Sequence, residues 1–128
     1  MPAASAEQLS PLKDLRALVV EDEAIVSFLL EDTLLKLGCA EVTLAGRLSV
    51  ALDYLDRHRP DVAVLDVNLG GELVYPVAER LKAASVPFVF ATGYGASGIA
   101  PEWKDAFILQ KPFAVEQLAA LLETVVRK

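Results

Sequence analysis

Short apolar runs and helix-spaced apolar positions alternate along the chain. Residues 17–20, Ala-Leu-Val-Val, form an unbroken apolar run that ends at Glu21 and Asp22. Val26, Leu29, Leu30, Leu34 and Leu37 then recur at the spacing of one helix face, and Gly38 stops the pattern. A second strand is predicted over 40–45, and Leu48, Ala51, Leu52 and Leu55 mark a second helix that ends before Pro60. The third strand, 61–66, closes on Asp66. After the Asn68-Leu69-Gly70-Gly71 turn, Val74, Val77, Ala78 and Leu81 mark a third helix, where Pro76 is tolerable only in the first turn. Residues 87–92 and 106–110 are the fourth and fifth strands, and Val115, Leu118, Ala119, Leu122 and Val126 line the last helix.

Five strands separated by helices imply right-handed crossovers and a parallel sheet. The strands are apolar throughout rather than alternating, as expected where both faces of a sheet are covered. In such open sheets the ligand crevice lies beyond the carboxyl ends of the strands. Those ends carry the chain's chemistry. The first strand ends in Glu21-Asp22, the third in Asp66, the fourth in Thr92 and the fifth in Lys111-Pro112. Three carboxylates brought together repel one another and call for a cation. A hard divalent ion with oxygen ligands suits them, and Mg²⁺ keeps waters and leaves room for a phosphate oxygen. Lys111 supplies a compact positive charge and Thr92 a hydroxyl donor. Such an assembly serves phosphoryl transfer, with an Asp beside the metal as nucleophile.

Composition narrows the picture. At 128 residues the chain is one domain by length, able to bury a core without disulfides. Hydrophobic residues make up 54%, yet no apolar run approaches the roughly 18 residues of a membrane span. The net charge of −6 speaks against nucleic-acid binding. Residues 1–14 have no signal-peptide pattern and are expected to form a flexible arm, with the domain proper over 15–128. The single Cys39 reads as a packed residue near a helix end, and a lone thiol fits a reducing, cytoplasmic setting. His58 reads as a structural cation at a helix end, and Trp103 as the anchor of a small satellite cluster.

The acidic pair after Leu-Val-Val, the Asp of Val-Ala-Val-Leu-Asp-Val-Asn-Leu, the Thr after Phe-Val-Phe-Ala and the Lys-Pro of Leu-Gln-Lys-Pro-Phe together resemble the receiver domain of two-component response regulators. The resemblance runs over residues 15–127. It implies the flavodoxin-like fold of the chemotaxis-regulator type: a (βα)5 three-layer sandwich with a five-stranded parallel sheet of order 2-1-3-4-5. By the same resemblance Asp66 accepts a phosphoryl group from a sensor histidine kinase or a histidine phosphotransfer protein. Glu21, Asp22, Asp66 and the backbone carbonyl of Asn68 bind Mg²⁺, and Lys111 and Thr92 contact the phosphoryl oxygens. The Lys111–Pro112 bond is cis, and the kinase docks around the first helix and the fifth strand. The family is not enzymatic, although its members assist their own phosphorylation and dephosphorylation. Phe-Ala-Thr-Gly followed by an aromatic, residues 90–94, is similar to a subfamily of single-domain receivers in alphaproteobacterial stress pathways. The chain is accordingly read as a stand-alone phosphoacceptor that acts on a downstream protein target or drains phosphoryl groups from a kinase.

The pattern departs from the family in two places. Receivers usually carry an aromatic switch residue on the fifth strand, where this chain has Ile108; Tyr94 reads either as the substitute or as a half-buried loop aromatic. The segment meant to form a fourth helix holds Gly93, Gly95, Gly98 and Pro101. Each glycine costs about 1 kcal/mol relative to alanine in a helix. A weak or disordered helix is therefore expected, settling only when phosphorylation draws Thr92 inward. Three rival readings meet an obstacle in particular residues. A haloacid-dehalogenase-type phosphatase needs a second acid at position 68, which is Asn. A nucleotide- or flavin-binding domain needs a glycine-rich turn where Glu21-Asp22 stands. A degenerate receiver, serving only to bind proteins, would not need the complete set of site residues.

Overall fold

The computed structural model describes residues 10–127; residues 1–9 of the predicted N-terminal arm lie outside them. Five parallel strands form one sheet: β1 (Arg16–Val20), β2 (Glu41–Ala45), β3 (Val62–Asp66), β4 (Phe88–Thr92) and β5 (Phe107–Gln110), in the order β2-β1-β3-β4-β5. This is the predicted flavodoxin-like arrangement. Four helices connect and cover the strands: α1 (Ala24–Lys36), α2 (Leu48–Arg57), α3 (Tyr75–Ala83) and α4 (Val115–Arg127).

Alternation along each strand builds the three layers. Ala17, Val19, Val62, Val64, Val89, Ala91 and Leu109 face one side, where they pack with Leu30 and Leu34 of α1 and Leu118, Leu122 and Val125 of α4. Leu18, Val20, Ala63, Leu65 and Phe90 face the other, against Ala51 of α2 and Val77, Ala78 and Leu81 of α3. Burying each large aliphatic side chain stabilises the fold by roughly 1.5–3 kcal/mol. Polar faces on these strands would forfeit one layer or the other. Leu12 is fully buried in the α1–α4 layer, so the chain already contributes to the core three residues before Leu15. The Asp14 amide donates to the Gly38 carbonyl at 2.8 Å, tying this lead-in to the end of α1.

Two local features differ from the simple pattern. The turn after β3 is a tight ribbon, Asn68–Leu69 pairing antiparallel with Glu72–Leu73. Gly70 and Gly71 at its tip have φ of 62° and 100°, left-handed values that a two-residue hairpin demands and glycine meets without a steric penalty. Between β4 and β5 there is no α-helix. Two 3-10 turns, Gly95–Gly98 and Pro101–Trp103, take its place, as the glycine and proline content predicted. Trp103 is no satellite anchor. It is buried in the main core with Tyr75, Phe88 and Phe90, because the short turns fold it back beneath β4. No helix among the described residues is long and apolar enough to cross a membrane.

Candidate functional site

Strand register decides which side chains meet. Val20 of β1 is level with Leu65 of β3, so Glu21 stands level with Asp66, and Asp66 is level with Ala91 of β4. Thr92, the last residue of β4, is level with Gln110 of β5, and the Lys111 amide donates to the Thr92 carbonyl at 2.8 Å. Glu21 and Asp66 thus share one row at the carboxyl edge, with Thr92 one residue beyond it on β4 and Lys111 two residues beyond it after β5. Carboxylate oxygens of Glu21, Asp22 and Asp66 lie within 4.8 Å of one another. Glu21 and Asp66 are buried, whereas Asp22 is exposed at the mouth.

The Lys111 ammonium lies inside the cluster. Its Nζ donates to Glu21 Oε1 at 2.7 Å and stands 3.5 Å from Asp66 Oδ1. The shorter contact goes to Glu21, so in this state Lys111 chiefly neutralises the buried glutamate. The other Glu21 oxygen accepts the Glu23 amide at 3.2 Å. One ammonium against three carboxylates leaves the site over-charged, and the titration of its groups reflects this. Burial first, and then the charge of Glu21, push the Asp66 carboxyl up to about 7, with Lys111 pulling the other way. Burial alone would lower Lys111, but the hydrogen bond to Glu21 and the nearby acids outweigh it and raise its pKa.

Lys111–Pro112 is a cis peptide. Asn68 is exposed, and its Oδ1 accepts the Gly71 amide at 2.7 Å, so the side chain is spent on the ribbon and offers no acid. Thr92 is buried and its Oγ1 accepts the Tyr94 amide at 3.1 Å. Tyr94 itself is 78% exposed, neither half-buried nor packed on β5. Ile108 is partly buried against the core layer of α2 and α3. Sequence reasoning missed the part played by Gly98, which lies over Thr92; only the fold of the 3-10 turn brings it there.

The fold and the acidic row define a receiver, and comparison agrees. The chain belongs to the response regulator receiver domain family, whose model matches residues 17–123. It is 34% identical over 116 residues to the sensory transduction protein LytT of Bacillus subtilis, covering 85% of this chain and 47% of LytT. The chain thus spans about half the length of that relative. It is 27% identical over 108 residues to the sporulation initiation phosphotransferase F of the same organism, covering 80% of this chain and 86% of that one. Among solved structures, SdrG from Sphingomonas melonis superposes with a TM-score of 0.74 at 34% identity, covering 98% of this chain and 100% of that one. Receiver domains bind Mg²⁺ at an acidic cluster, and Glu21, Asp22 and Asp66 form one here. Histidine kinases or phosphotransfer proteins phosphorylate such domains.

Proposed function

We propose that Asp66 is the phosphoacceptor and that its donor is a phosphohistidine on a sensor histidine kinase or a histidine phosphotransfer protein. The convergence of Glu21, Asp22 and Asp66 with Lys111 at the carboxyl edge of the sheet carries this reading. An Asp66 carboxylate oxygen attacks phosphorus and a P–O bond forms. The N–P bond to the imidazole breaks, its electron pair stays on nitrogen, and that nitrogen takes a proton. The donor set is all oxygen, buried on one side and open at Asp22, which fits a hard cation. Glu21, Asp22, Asp66 and the Asn68 backbone carbonyl would hold Mg²⁺, which when bound supplies positive charge for the acids and for the transferred group. Lys111 leaves Glu21 to pair with a phosphoryl oxygen, and the Thr92 hydroxyl donates to another, with Tyr94 and Ile108 moving in response.

The unit that performs this is residues 15–128 together with the Leu12–Asp14 lead-in packed on it, in the cytoplasm. It works without an enzyme partner when offered a small phosphodonor, because positioning and charge are its own. The likeness to SdrG, of which a beryllofluoride-activated conformation is also known at 37% identity, supports placing the chain with single-domain receivers, and its own residues 90–94 support the Phe-Ala-Thr-Gly-aromatic type among them. Ile25, Phe28 and Leu29 are exposed on the first turns of α1, just past Asp22, and suit an apolar docking face for the kinase. A downstream target protein would read the phosphorylated state.

The test is direct. The protein is incubated with Mg²⁺ and a small acyl phosphate, and the labelled residue is mapped by mass spectrometry. A label on Asp66 that disappears in Asp66→Ala is expected. Label on another residue, or none, overturns the reading.

A further inference from the structure

The segment between β4 and β5 is fastened at both ends. Downstream, the Ala100 amide donates to Tyr75 Oη at 2.8 Å, and the Trp103 ring stacks on Tyr75 with centroids 6.2 Å apart. Upstream, Thr92 Oγ1 accepts the Tyr94 amide, and Ser97 Oγ donates to the Tyr94 carbonyl at 2.7 Å. The 3-10 turn that follows carries Gly98 back over Thr92. The backbone does not require glycine at 98, since its φ lies outside the left-handed region. Space does. A Cβ there would stand 2.5 Å from Thr92 Oγ1 and 2.9 Å from Tyr94 Cβ. At Gly93, by contrast, a Cβ would meet nothing within 4 Å.

We propose that Gly98 is a positioning residue for the switch: its missing side chain makes the room in which Thr92 rests its hydroxyl on the Tyr94 amide. The inference builds on the reading of Asp66 as phosphoacceptor. An alanine at 98 must open the turn slightly at Tyr94 Cβ, which no side-chain rotation relieves, and for the tighter contact at Thr92 must displace either the turn further or the hydroxyl. Tyr75 and Trp103 hold the turn from below, whereas Thr92 needs only to change its χ1 well. Of the two other staggered wells, one puts the methyl where Oγ1 now stands and keeps the clash. The remaining well turns the Cβ hydrogen toward residue 98 and moves the hydroxyl to the place now held by the methyl. It breaks one hydrogen bond and frees the hydroxyl for an oxygen carried on Asp66. A side chain at 98 therefore biases the resting protein toward its phosphorylated arrangement.

The experiment compares Gly98→Ala with Gly93→Ala. Scalar couplings to the Thr92 methyl report χ1 in the metal-free protein, and beryllofluoride with Mg²⁺ serves as the phosphoryl mimic. Wild type and Gly93→Ala are expected to share one χ1 and Gly98→Ala to show another. Gly98→Ala is expected to bind the mimic threefold to tenfold more tightly, the equivalent of one neutral hydrogen bond no longer to be broken. That gain is expected to vanish in a Thr92→Ala background. An unchanged χ1, weaker or unchanged mimic binding, or the same gain without the Thr92 hydroxyl overturns the proposal. Should Gly98→Ala not fold, wild-type χ1 decides: it must change when the mimic binds. Failure of the acceptor reading shows separately, as wild-type protein that ignores the mimic or an Asp66→Asn variant that still binds it.

Discussion

At the scale of single residues, Asp66, the proposed phosphoacceptor, is also a liability. Its carboxyl is raised from 3.8 to about 7 by burial and by Glu21. A folded-state pKa above the unfolded one means that the native protein binds more protons between those values, so stability falls as pH rises through that interval. The destabilisation is absent below about 4, builds between about 4 and 7, and is complete above 7. It amounts to at most about 4 kcal/mol, three pKa units at 1.36 kcal/mol each. Asp66→Asn is therefore expected to be more stable than wild type at pH 8 without Mg²⁺, and to lose that advantage by pH 4. Urea melts of the two proteins across the range check this; a difference that does not change with pH contradicts it. Cys39 behaves in the opposite spirit. Burial first, and then Asp61, push its thiol up to about 11, so it is inert packing, as its place at a helix end implied.

At the scale of elements, the strands and helices were legible because two-sided burial leaves apolar runs and helices leave a 3.6-residue period. The polar ends of four strands, Glu21-Asp22, Asp66, Thr92 and Lys111, stood out because charged and hydroxyl side chains interrupt otherwise apolar runs there. What the sequence could not show is where the irregular segment 93–106 goes. Glycines announce the lack of a helix, but they say nothing of how Trp103 returns to the core or how Gly98 comes to lie on Thr92. The structure also narrows the mobile part. With Ala100 and Trp103 fastened to Tyr75, the change on phosphorylation is expected within 93–99 rather than throughout 93–106. Amide exchange with and without the mimic should differ in the first interval and stay slow and unchanged at Ala100 and Trp103. In Tyr75→Phe the Ala100 amide loses its acceptor, and its protection should drop by about 1 kcal/mol. On α1 the exposed Phe28 gives a cleaner division. Phe28→Ala should slow transfer from a phosphorylated kinase about fivefold or more, an interface aromatic that acts as an anchor being worth more than about 1 kcal/mol. Labelling by the small donor should be unchanged. Equal loss in both assays would assign Phe28 to the fold instead.

At the scale of the whole molecule, the carboxyl edge gathers repulsion that the two core layers must withstand. Bound Mg²⁺ would relieve it and so link metal to fold: at a hundredfold excess over its Kd a cation that binds only the native state adds about 2.7 kcal/mol. Mg²⁺ is expected to raise the Tm of wild type at pH 8 by several degrees and that of Asp22→Ala/Asp66→Asn by little, as calorimetry would show. Equal shifts in both would place the ion elsewhere.

The buried acid beside Glu21 also constrains how the domain can be improved. A library screened for heat resistance alone, in chelator, should enrich uncharged side chains at position 66 and so return sturdier proteins deaf to their kinase. Durability and signalling pull that one position in opposite directions, and only a screen that demands both will keep an aspartate there.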